Sequence, residues 1–417
     1  MSLRELDRYL TRLPSRRLPS ECNSLYRTAP SAGRQLPPRS DMIEGPMEPL
    51  AHTLAGACLA EAGLKRVTPL AASTLIIAAN LADIDGACYL HNADLAFGFR
   101  RGLTHGVLAW IVLPVLLTAG MVAFDRVVRR RRNPDASPVR PVPLFWLSLA
   151  GVVSHPFLDW LNTYGIRLLM PFSDRWFYGD TLFIIDPWLW IILGSAVMIA
   201  WTVHRRGVLL WTVVGAGTTL LILFNPVVPA WTRIAWLISL AVLVGARLLL
   251  PVAARPRAAG GALVIAAIYV ATMYGGSRAA ERQVRALAAE RGWQVDRVAA
   301  MPVPLEPTRR VVIAETPTCY LLVPLDWTHG PSPDVEPTVV ERGAPHPAIE
   351  AALGLPTLQG TRRWLRFPSY EVVPTPNGGY RVIIRDARFS VGTPSGFGVI
   401  ATVDLDRSLR PLPVPTS

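Results

Sequence analysis

The segment VPLFWLSLAGVVSHPFLDWL, residues 142–161, combines a long apolar run with a histidine and an aspartate near its end. Twenty mainly apolar residues in a helix are long enough to cross the roughly 30 Å hydrocarbon core of a bilayer. His155 and Asp159 are four residues apart, so on a helix both side chains point to one face. Ionisable side chains in a membrane segment are costly unless they have partners. The segment therefore indicates a membrane helix that carries part of a polar site.

Apolar segments of this kind follow one another through the first two thirds of the chain. They are predicted near residues 50–63, 68–82, 104–123, 142–161, 183–203, 207–224, 231–250 and 261–277. The composition agrees, because 51% of the 417 residues are hydrophobic, 17% are charged and the mean hydropathy is +0.32. We expect an α-helical polytopic membrane protein with about six to eight membrane segments. The first two segments are short, so re-entrant or buried helices are the alternative there.

The net charge of +12 comes mainly from arginines in the tails and between apolar segments. These arginines do not gather on one face with interleaved aromatic residues, so no nucleic-acid partner is expected. Alternate connections carry the basic residues, and the positive-inside rule assigns those connections to the cytoplasm. The basic residues are Lys65, Arg66, Arg126, Arg129 to Arg132, Arg205, Arg206, Arg247, Arg255 and Arg257. The resulting topology has eight crossings.

The domain organisation follows from shifts in composition. Residues 1–46 are rich in Arg, Pro and Ser and lack the apolar core of a signal peptide. We expect either a disordered basic arm or a start codon assigned too far upstream, since Met47 directly precedes the first apolar segment. Residues 47–277 are predicted to form the membrane domain that carries the site. Residues 278–410 contain short alternating runs separated by Pro and Gly, which indicate a small β-rich domain outside the membrane, and residues 411–417 form a tail.

Histidines and acidic residues recur where apolar segments end. They lie in Glu48 to His52, Asp83 with Asp85, Arg101 to His105, His155 with Asp159, and Asp186. Each motif alone is explained more simply as a helix cap, an interfacial residue or a buried polar pair. In the topology above all of them lie at the outer face, which independent caps have no reason to do. His and Asp are ligands for zinc and other divalent ions, whereas the four cysteines lack the CxxC spacing of a thiolate site.

Taken in order, these motifs resemble the YdjM family, known as LexA-regulated, membrane-bound, predicted metal-dependent hydrolases of the bacterial inner membrane. The resemblance rests on EPLAHTLAG (48–56), ADIDG (82–86), RGLTH (101–105) and SHPFLD (154–159), followed by NTYG, PFSD, YGD and DPW up to residue 188. The family usually opens with Asp-Pro-Leu-Thr-His, where this chain has Glu48 and Ala51. The resemblance implies an inner-membrane protein with a hydrolytic metal centre.

We therefore predict a hydrolytic site for a divalent metal ion, with zinc first and manganese or iron as alternatives. The predicted metal ligands are His52, Asp85, His105, His155 and Asp159. Asp83 and Asp186 are predicted as supporting carboxylates or as the general base. Arg101 and Arg175 are predicted to hold an anionic substrate group.

The expected surroundings are membrane lipids, and the expected substrate is a phosphoester or a lipid-linked compound. The C-terminal domain is expected to be periplasmic or otherwise extracytoplasmic. An ion- or proton-coupled transporter is the alternative function, because buried Asp and His residues also form ion pathways. A non-enzymatic membrane protein is a further alternative, and the sequence leaves the oligomeric state open.

Overall fold

The computed structural model describes residues 49–202, 204–226, 228–251, 254–331, 335–390 and 395–412. The predicted basic arm, Glu48 and most of the predicted tail lie outside the described residues. The chain first forms helices α1 (Pro49–Glu61), α2 (Ala71–Ala78), α3 (Ala93–Phe99), α4 (Ala109–Phe124), α5 (Pro141–Trp160), α6 (Pro187–Trp201), α7 (Arg205–Phe224), α8 (Ala230–Leu249) and α9 (Arg255–Arg291). A 3-10 segment, Leu81–Leu90, follows α2, and a π turn at Asp125–Arg129 extends α4 to Arg132.

Within the described residues, five helices are long and apolar enough to cross a membrane: Ala109–Arg132, Pro141–Trp160, Arg205–Phe224, Ala230–Leu249 and Pro256–Arg291. A sixth span results if α2 and the 3-10 segment, bent by 44°, count as one. The helices α1 and α6 have 13 and 15 residues, fewer than the roughly 20 that an upright crossing needs. The protein is thus a polytopic helical membrane protein, with fewer full-length spans than the eight predicted crossings because α1, α2 and α6 are short.

The helix α2 is packed closely between two neighbours. A Cβ atom added to Gly56 of α1 would lie 2.7 Å from the carbonyl oxygen of Leu75, and one added to Gly151 of α5 would lie 2.5 Å from Cβ of Ala78. Small residues on facing surfaces let helix backbones approach each other in membranes. This approach brings the C-terminal carbonyl groups of α2 next to the last two turns of α5.

Contacts between helices show which helix termini lie at each end of the membrane domain. At one end, Trp201 Nε1 donates a 3.0 Å hydrogen bond to Glu61, and the backbone N–H of Arg140 donates a 2.8 Å bond to Thr68. This end therefore joins the C-termini of α1 and α6 and the N-termini of α2 and α5, and basic connections lie beside it. At the opposite end are the N-termini of α1, α4 and α6 and the C-termini of α2 and α5. The predicted site residues lie on or beside the helix termini of this second end.

Helix α9 continues from its apolar half into a polar half that ends at Arg291, so it runs through the predicted domain boundary at residues 277 and 278. A four-stranded antiparallel sheet of order β1-β2-β3-β4 follows, with β1 (Arg297–Val303), β2 (Glu306–Glu315), β3 (Cys319–Asp326) and β4 (Thr338–Glu341). Helices α10 (Pro347–Leu353) and α11 (Gln359–Trp364) lead to a three-stranded antiparallel sheet of β5 (Pro368–Pro374), β6 (Tyr380–Asp386) and β7 (Ser395–Leu405). The predicted β-rich region is thereby present.

The C-terminal region packs on the polar half of α9 and on the loops beside the site. Ala280 and Val284 of α9 join the buried core of the first sheet with Val312 and Val323. The loop before β5 also contacts the loop before α6, because Arg366 donates two 2.8 Å hydrogen bonds to the carboxylate of Asp180. The β-rich region therefore lies against the same end of the helices as the predicted site.

Candidate metal centre

Four side chains from three parts of the chain meet at this end. Asp83, His105, His155 and Asp159 each offer a ligand atom, and these atoms all lie within 4.8 Å of one another. His105 Nε2 is 3.1 Å from Asp159 Oδ2, and His155 Nε2 is 3.6 Å from the same oxygen and 3.7 Å from Asp83 Oδ1. In a tetrahedral site with metal–ligand bonds of about 2.0–2.1 Å, neighbouring ligand atoms are about 3.4 Å apart. The measured separations suit a single divalent ion.

The local folds explain how these side chains converge. His155 and Asp159 lie on the last turns of α5, where the four-residue spacing places both on the buried face. Asp83 belongs to the 3-10 segment that follows α2, and His105 lies in the turns before α4. His105, His155 and Asp159 are almost completely buried, whereas the side chain of Asp83 keeps 17% of its exposure.

The hydrogen bonds of the two histidines direct their Nε2 atoms into the cluster. His155 Nδ1 is 2.7 Å from the carbonyl oxygen of Ala79, which can only accept, so Nδ1 carries the proton. His105 Nδ1 lies 3.0 Å from Thr104 Oγ1 and 3.3 Å from Asp85 Oδ2, and we assign its proton to the same nitrogen. Each Nε2 then has a lone pair for a cation, as in metal sites where the other nitrogen of the ring is held by a carbonyl or a carboxylate.

The atoms that converge have no hydrogen-bond partner outside the cluster. Among the described residues, His105 Nε2, His155 Nε2 and Asp159 Oδ2 are buried without a hydrogen bond. A buried polar atom without a partner is destabilising, and such atoms are few in folded proteins. A cation bound between these three atoms would satisfy all of them. The donor set therefore fits a divalent metal ion.

Arginines hold the two carboxylates of the cluster. Arg101 Nη2 donates a 2.7 Å hydrogen bond to Asp159 Oδ1, which leaves Oδ2 directed at the histidines. Arg100 Nη2 donates a 2.9 Å bond to Asp83 Oδ1, and its Nε lies 3.3 Å from Asp85 Oδ1. Together with the neighbouring Asp85, the two carboxylates face two arginines, so these five side chains carry a net negative charge. This charge favours a cation.

Asp85, a predicted ligand, contacts Nδ1 of His105, on the side of the ring that points away from the cluster. Its Oδ2 accepts hydrogen bonds from the backbone N–H of Arg101 at 2.9 Å and from Thr104 Oγ1 at 2.7 Å. The structure instead brings Asp83, the predicted supporting carboxylate, into the group of four ligand atoms. Asp83, and not Asp85, thus offers an oxygen to the group of four ligand atoms.

His52, also a predicted ligand, borders the group. Its Nε2 lies 3.5 Å from Asp159 Oδ1, and its ring stacks on that of His155 with 3.8 Å between centroids. His52 Nδ1 is buried and has no hydrogen-bond partner among the described residues. The N-terminal turn of α1 thus completes one wall of the site.

A cavity adjoins the cluster on the side of His52. Its volume is about 30 Å³, enough for one or two water molecules. Asp186 lies in its wall and caps α6, with Oδ1 accepting from Leu189 N–H and Oδ2 accepting from Tyr269 Oη, both at 2.9 Å. The other residues that line it are Ala51, His52, Arg101, Leu158, Asp159, Asn162, Leu182, Phe183, Ile184 and Leu189. Asp186 therefore shares a cavity with the cluster and is not among its ligand atoms.

The two predicted substrate-binding arginines lie in different surroundings. Arg101 is fully buried, and besides Asp159 its guanidinium donates to Asn162 Oδ1 at 2.8 Å. It is thus part of the scaffold of the site. Arg175 is exposed and lies over the ring of Phe177 at 5.3 Å, and the structure does not bring it to the cluster.

Several supporting groups escaped prediction from the sequence. Arg100 directly precedes the motif RGLTH, and its place directly after the apolar stretch 95–99 is a signal that could have revealed it. Asn162 lies in the motif NTYG, but its hydrogen bond to Arg101 depends on the turn after α5. The carbonyl group of Ala79 has no signal in the sequence at all, because any residue supplies one.

Comparisons with known proteins match the part of the chain that carries this site. A family model described as "YdjM inner membrane protein" matches residues 47–228, which include every residue of the cluster and of the cavity wall. The uncharacterized protein YfhP of Bacillus subtilis (strain 168) is 30% identical over 118 residues, 28% of this chain. The match covers 32% of that relative, about a third of its length. No solved structure gives a significant match. The resemblance carried by the motifs is thereby confirmed: residues 47–228 match the model of the YdjM family.

Proposed function

We propose that the protein is a membrane-bound, metal-dependent hydrolase whose metal ligands are Asp83, His105, His155 and Asp159. One observation carries this proposal: three buried ligand atoms converge without hydrogen-bond partners, and the far side of each ligand is held in place. Structural polar clusters normally satisfy their own atoms. A cluster that leaves its central atoms unsatisfied while fixing its outer ones is built for a cation.

A divalent ion held by these four residues would supply the chemistry of hydrolysis. A divalent ion with an open coordination position acts as a Lewis acid and lowers the pKa of water from 15.7 towards about 7. His52 is the proton acceptor in our proposal, because its Nε2 lies beside Asp159 and its Nδ1 has no partner among the described residues. Asp186, fixed by two hydrogen bonds in the wall of the same cavity, orients water.

Exposed apolar side chains between Asp83 and His105 in the chain, and in the loop after α5, support a substrate with a lipid part. Ile84, next to the partly exposed Asp83, is 65% exposed, and Leu90 and Phe172 are 89% and 78% exposed. We call these three residues and the exposed Leu95, Phe99 and Leu103 the apolar rim. The rim continues along the chain into exposed apolar residues of α4, such as Ile111, which would face lipid. A phosphoester on a lipid or on a lipid-linked carrier fits a site that has this apolar rim.

We also propose that the cluster and the C-terminal domain lie outside the cytoplasm, at the outer face of the bacterial inner membrane. The basic connections gather at the opposite end of the helices, where Glu61 and Trp201 meet. Cytoplasmic loops carry an excess of Lys and Arg, which supports this orientation.

The first experiment measures metal in the purified, detergent-solubilised protein by elemental analysis. We expect about one equivalent of zinc, manganese or iron in the wild type and little in the double variant His105→Ala, His155→Ala, because two of four ligands are lost. His204→Ala is the matched control, since His204 is exposed at the basic end. It should retain the metal. Absence of metal from the wild type after reconstitution would overturn the proposal.

Hydrolysis is then tested by phosphate release in mixed micelles. We expect release from a phosphorylated lipid, such as phosphatidic acid or a polyprenyl diphosphate, that is lost with a chelator and restored by the metal found above. Metal binding without hydrolysis of any phosphoester would reject the hydrolase and favour a transporter, the competing function. A transporter predicts proton- or metal-dependent flux into proteoliposomes that the double variant abolishes.

The apolar rim gives a separate prediction. Leu90→Glu and Phe172→Glu should raise the KM for a lipid phosphoester by about tenfold or more, because burial of one such side chain contributes about 1.5–3 kcal/mol. The KM for a water-soluble phosphoester and the metal content should be unchanged. Val373→Glu, at an exposed apolar position of β5, is the control. Equal effects on both substrates would contradict a lipid-binding role of the rim.

A further inference from the structure

The C-terminal domain extends one aromatic side chain into the loops around the site. Trp364, the last residue of α11, is completely buried. Its ring stacks on Phe97 of α3 with 4.6 Å between centroids and tilts against Tyr164 at 4.8 Å. Both partners belong to the membrane domain, and both are 3% exposed. Trp364 is thus buried between the two domains.

Tyr164 also contacts Arg101, which in turn binds Asp159 of the cluster. The guanidinium carbon of Arg101 lies 4.6 Å from the centre of the Tyr164 ring, a cation–π arrangement. The same guanidinium donates to Asn162 Oδ1 and, through Nη2, to Asp159 Oδ1. Three consecutive contacts therefore link Trp364 to a metal ligand.

A second residue of the C-terminal domain fixes the same loop. Arg388 Nη1 donates a 3.0 Å hydrogen bond to the carbonyl oxygen of Thr163, and Nη2 donates a 3.1 Å bond to that of Trp364. Arg388 is itself held by the buried carboxylate of Asp386 at 2.9 Å. The loop that contains Tyr164 is thereby attached to the C-terminal domain through its backbone and through its ring.

The start of α11 is attached to α3 by an aspartate of the membrane domain. Asp94 Oδ1 accepts hydrogen bonds from the backbone N–H and the hydroxyl group of Thr361, at 2.7 and 2.9 Å, and Oδ2 accepts from Gly360 N–H at 3.1 Å. These bonds set the position of α11, and hence of Trp364, relative to the membrane domain.

We propose that Trp364 is a positioning residue of the metal centre, which acts through Tyr164 and Arg101 to fix Asp159. The inference rests on the proposed metal site. An arginine side chain has many rotamers, and the packed ring of Tyr164 restricts the guanidinium to the one that directs Asp159 Oδ2 at the histidines. The C-terminal domain, which lies outside the residues matched by the family, is in this view required for full metal affinity.

The test compares metal affinity and thermal stability of full-length variants, with affinity measured by competition with a chelating dye. Trp364→Ala should weaken metal binding by about 10–100-fold, as loss of groups that orient metal ligands does. Trp364→Phe keeps a ring against Tyr164 and should restore most of the affinity. Ile384→Ala is the control, because Ile384 is completely buried in the core of the C-terminal domain without a part in this chain of contacts. It should lower stability and leave the affinity unchanged.

If Trp364→Ala does not fold, Asp94→Ala gives the same test, since it removes the bonds to α11 without creating a cavity in the core. It should weaken metal binding in the same direction. Wild-type affinity in Trp364→Ala or in Asp94→Ala, or an equal loss in Ile384→Ala, would overturn the inference alone. Absence of metal from the wild type would instead overturn the proposed function.

Discussion

Replacement of Asp159 by alanine is expected to abolish metal binding and to lower stability by about 3–5 kcal/mol. Asp159 Oδ2 lies within 3.6 Å of both histidine Nε2 atoms, so its loss removes the ligand that the other groups share. The stability loss has a second cause. Arg101 is completely buried, and the substitution removes the carboxylate that its Nη2 contacts at 2.7 Å.

Metal content by elemental analysis and unfolding in mixed micelles with increasing SDS measure the two effects. Asp159→Asn separates them, because the amide oxygen still accepts from Arg101 while the charged ligand is lost. We expect this variant to lose the metal with a smaller loss of stability. Asp174→Ala is the control, since that side chain is 62% exposed and outside the cluster. Retention of metal in Asp159→Ala would contradict the assignment of the centre.

Much of the site follows from local spacing. The four-residue spacing of His155 and Asp159 in an apolar segment predicts a shared helix face, and the structure places both on the buried face of α5. His105 and His52 begin apolar segments, and Asp83 ends one, so a common topology brings them to one end of the helices. The sequence could predict that these residues lie on one side of the membrane, because the charge of the connections indicates the orientation of each helix.

The roles of Asp83 and Asp85 depend on backbone geometry that the sequence does not reveal. Alternate residues of an extended turn point to one side, so a shared cation was a reasonable expectation. The segment is instead a 3-10 helix with three residues per turn, in which residues two apart point in different directions. Asp83 then faces Nε2 of His155, whereas Asp85 lies at Nδ1 of His105. Asp85 is also directed at Thr104 and at the backbone of Arg101.

The role of Arg101 was equally hidden, for a different reason. A lone arginine beside a polar motif suits either a substrate anion or a buried carboxylate, and only the fold decides between them. The turn after α5 brings Asn162 and Asp159 to its guanidinium and leaves it fully buried. The interface between Trp364 and Phe97 is similarly non-local, since 267 positions separate the two residues in the sequence.

Substitution of Asp83 should therefore lower the metal affinity more than substitution of Asp85. The sequence alone predicts the reverse order. Asp83→Asn removes a charged ligand, so we expect metal affinity to fall by more than about 100-fold. Asp85→Asn leaves all four ligands in place and weakens the hold on His105 Nδ1 and on the N–H of Arg101. Loss of such a supporting carboxylate typically costs about 10–100-fold in affinity.

Dye competition on both variants, with the exposed Asp174→Asn as control, decides between the two assignments. Thr104→Val adds a further step, because it removes one hydrogen bond to Asp85 and leaves the carboxylate in place. Its effect should be smaller than that of Asp85→Asn and in the same direction. A larger loss in Asp85→Asn than in Asp83→Asn would return Asp85 to the ligand position and would require the 3-10 segment to turn when metal binds. The order of the two losses thus tests the cluster geometry independently of any substrate.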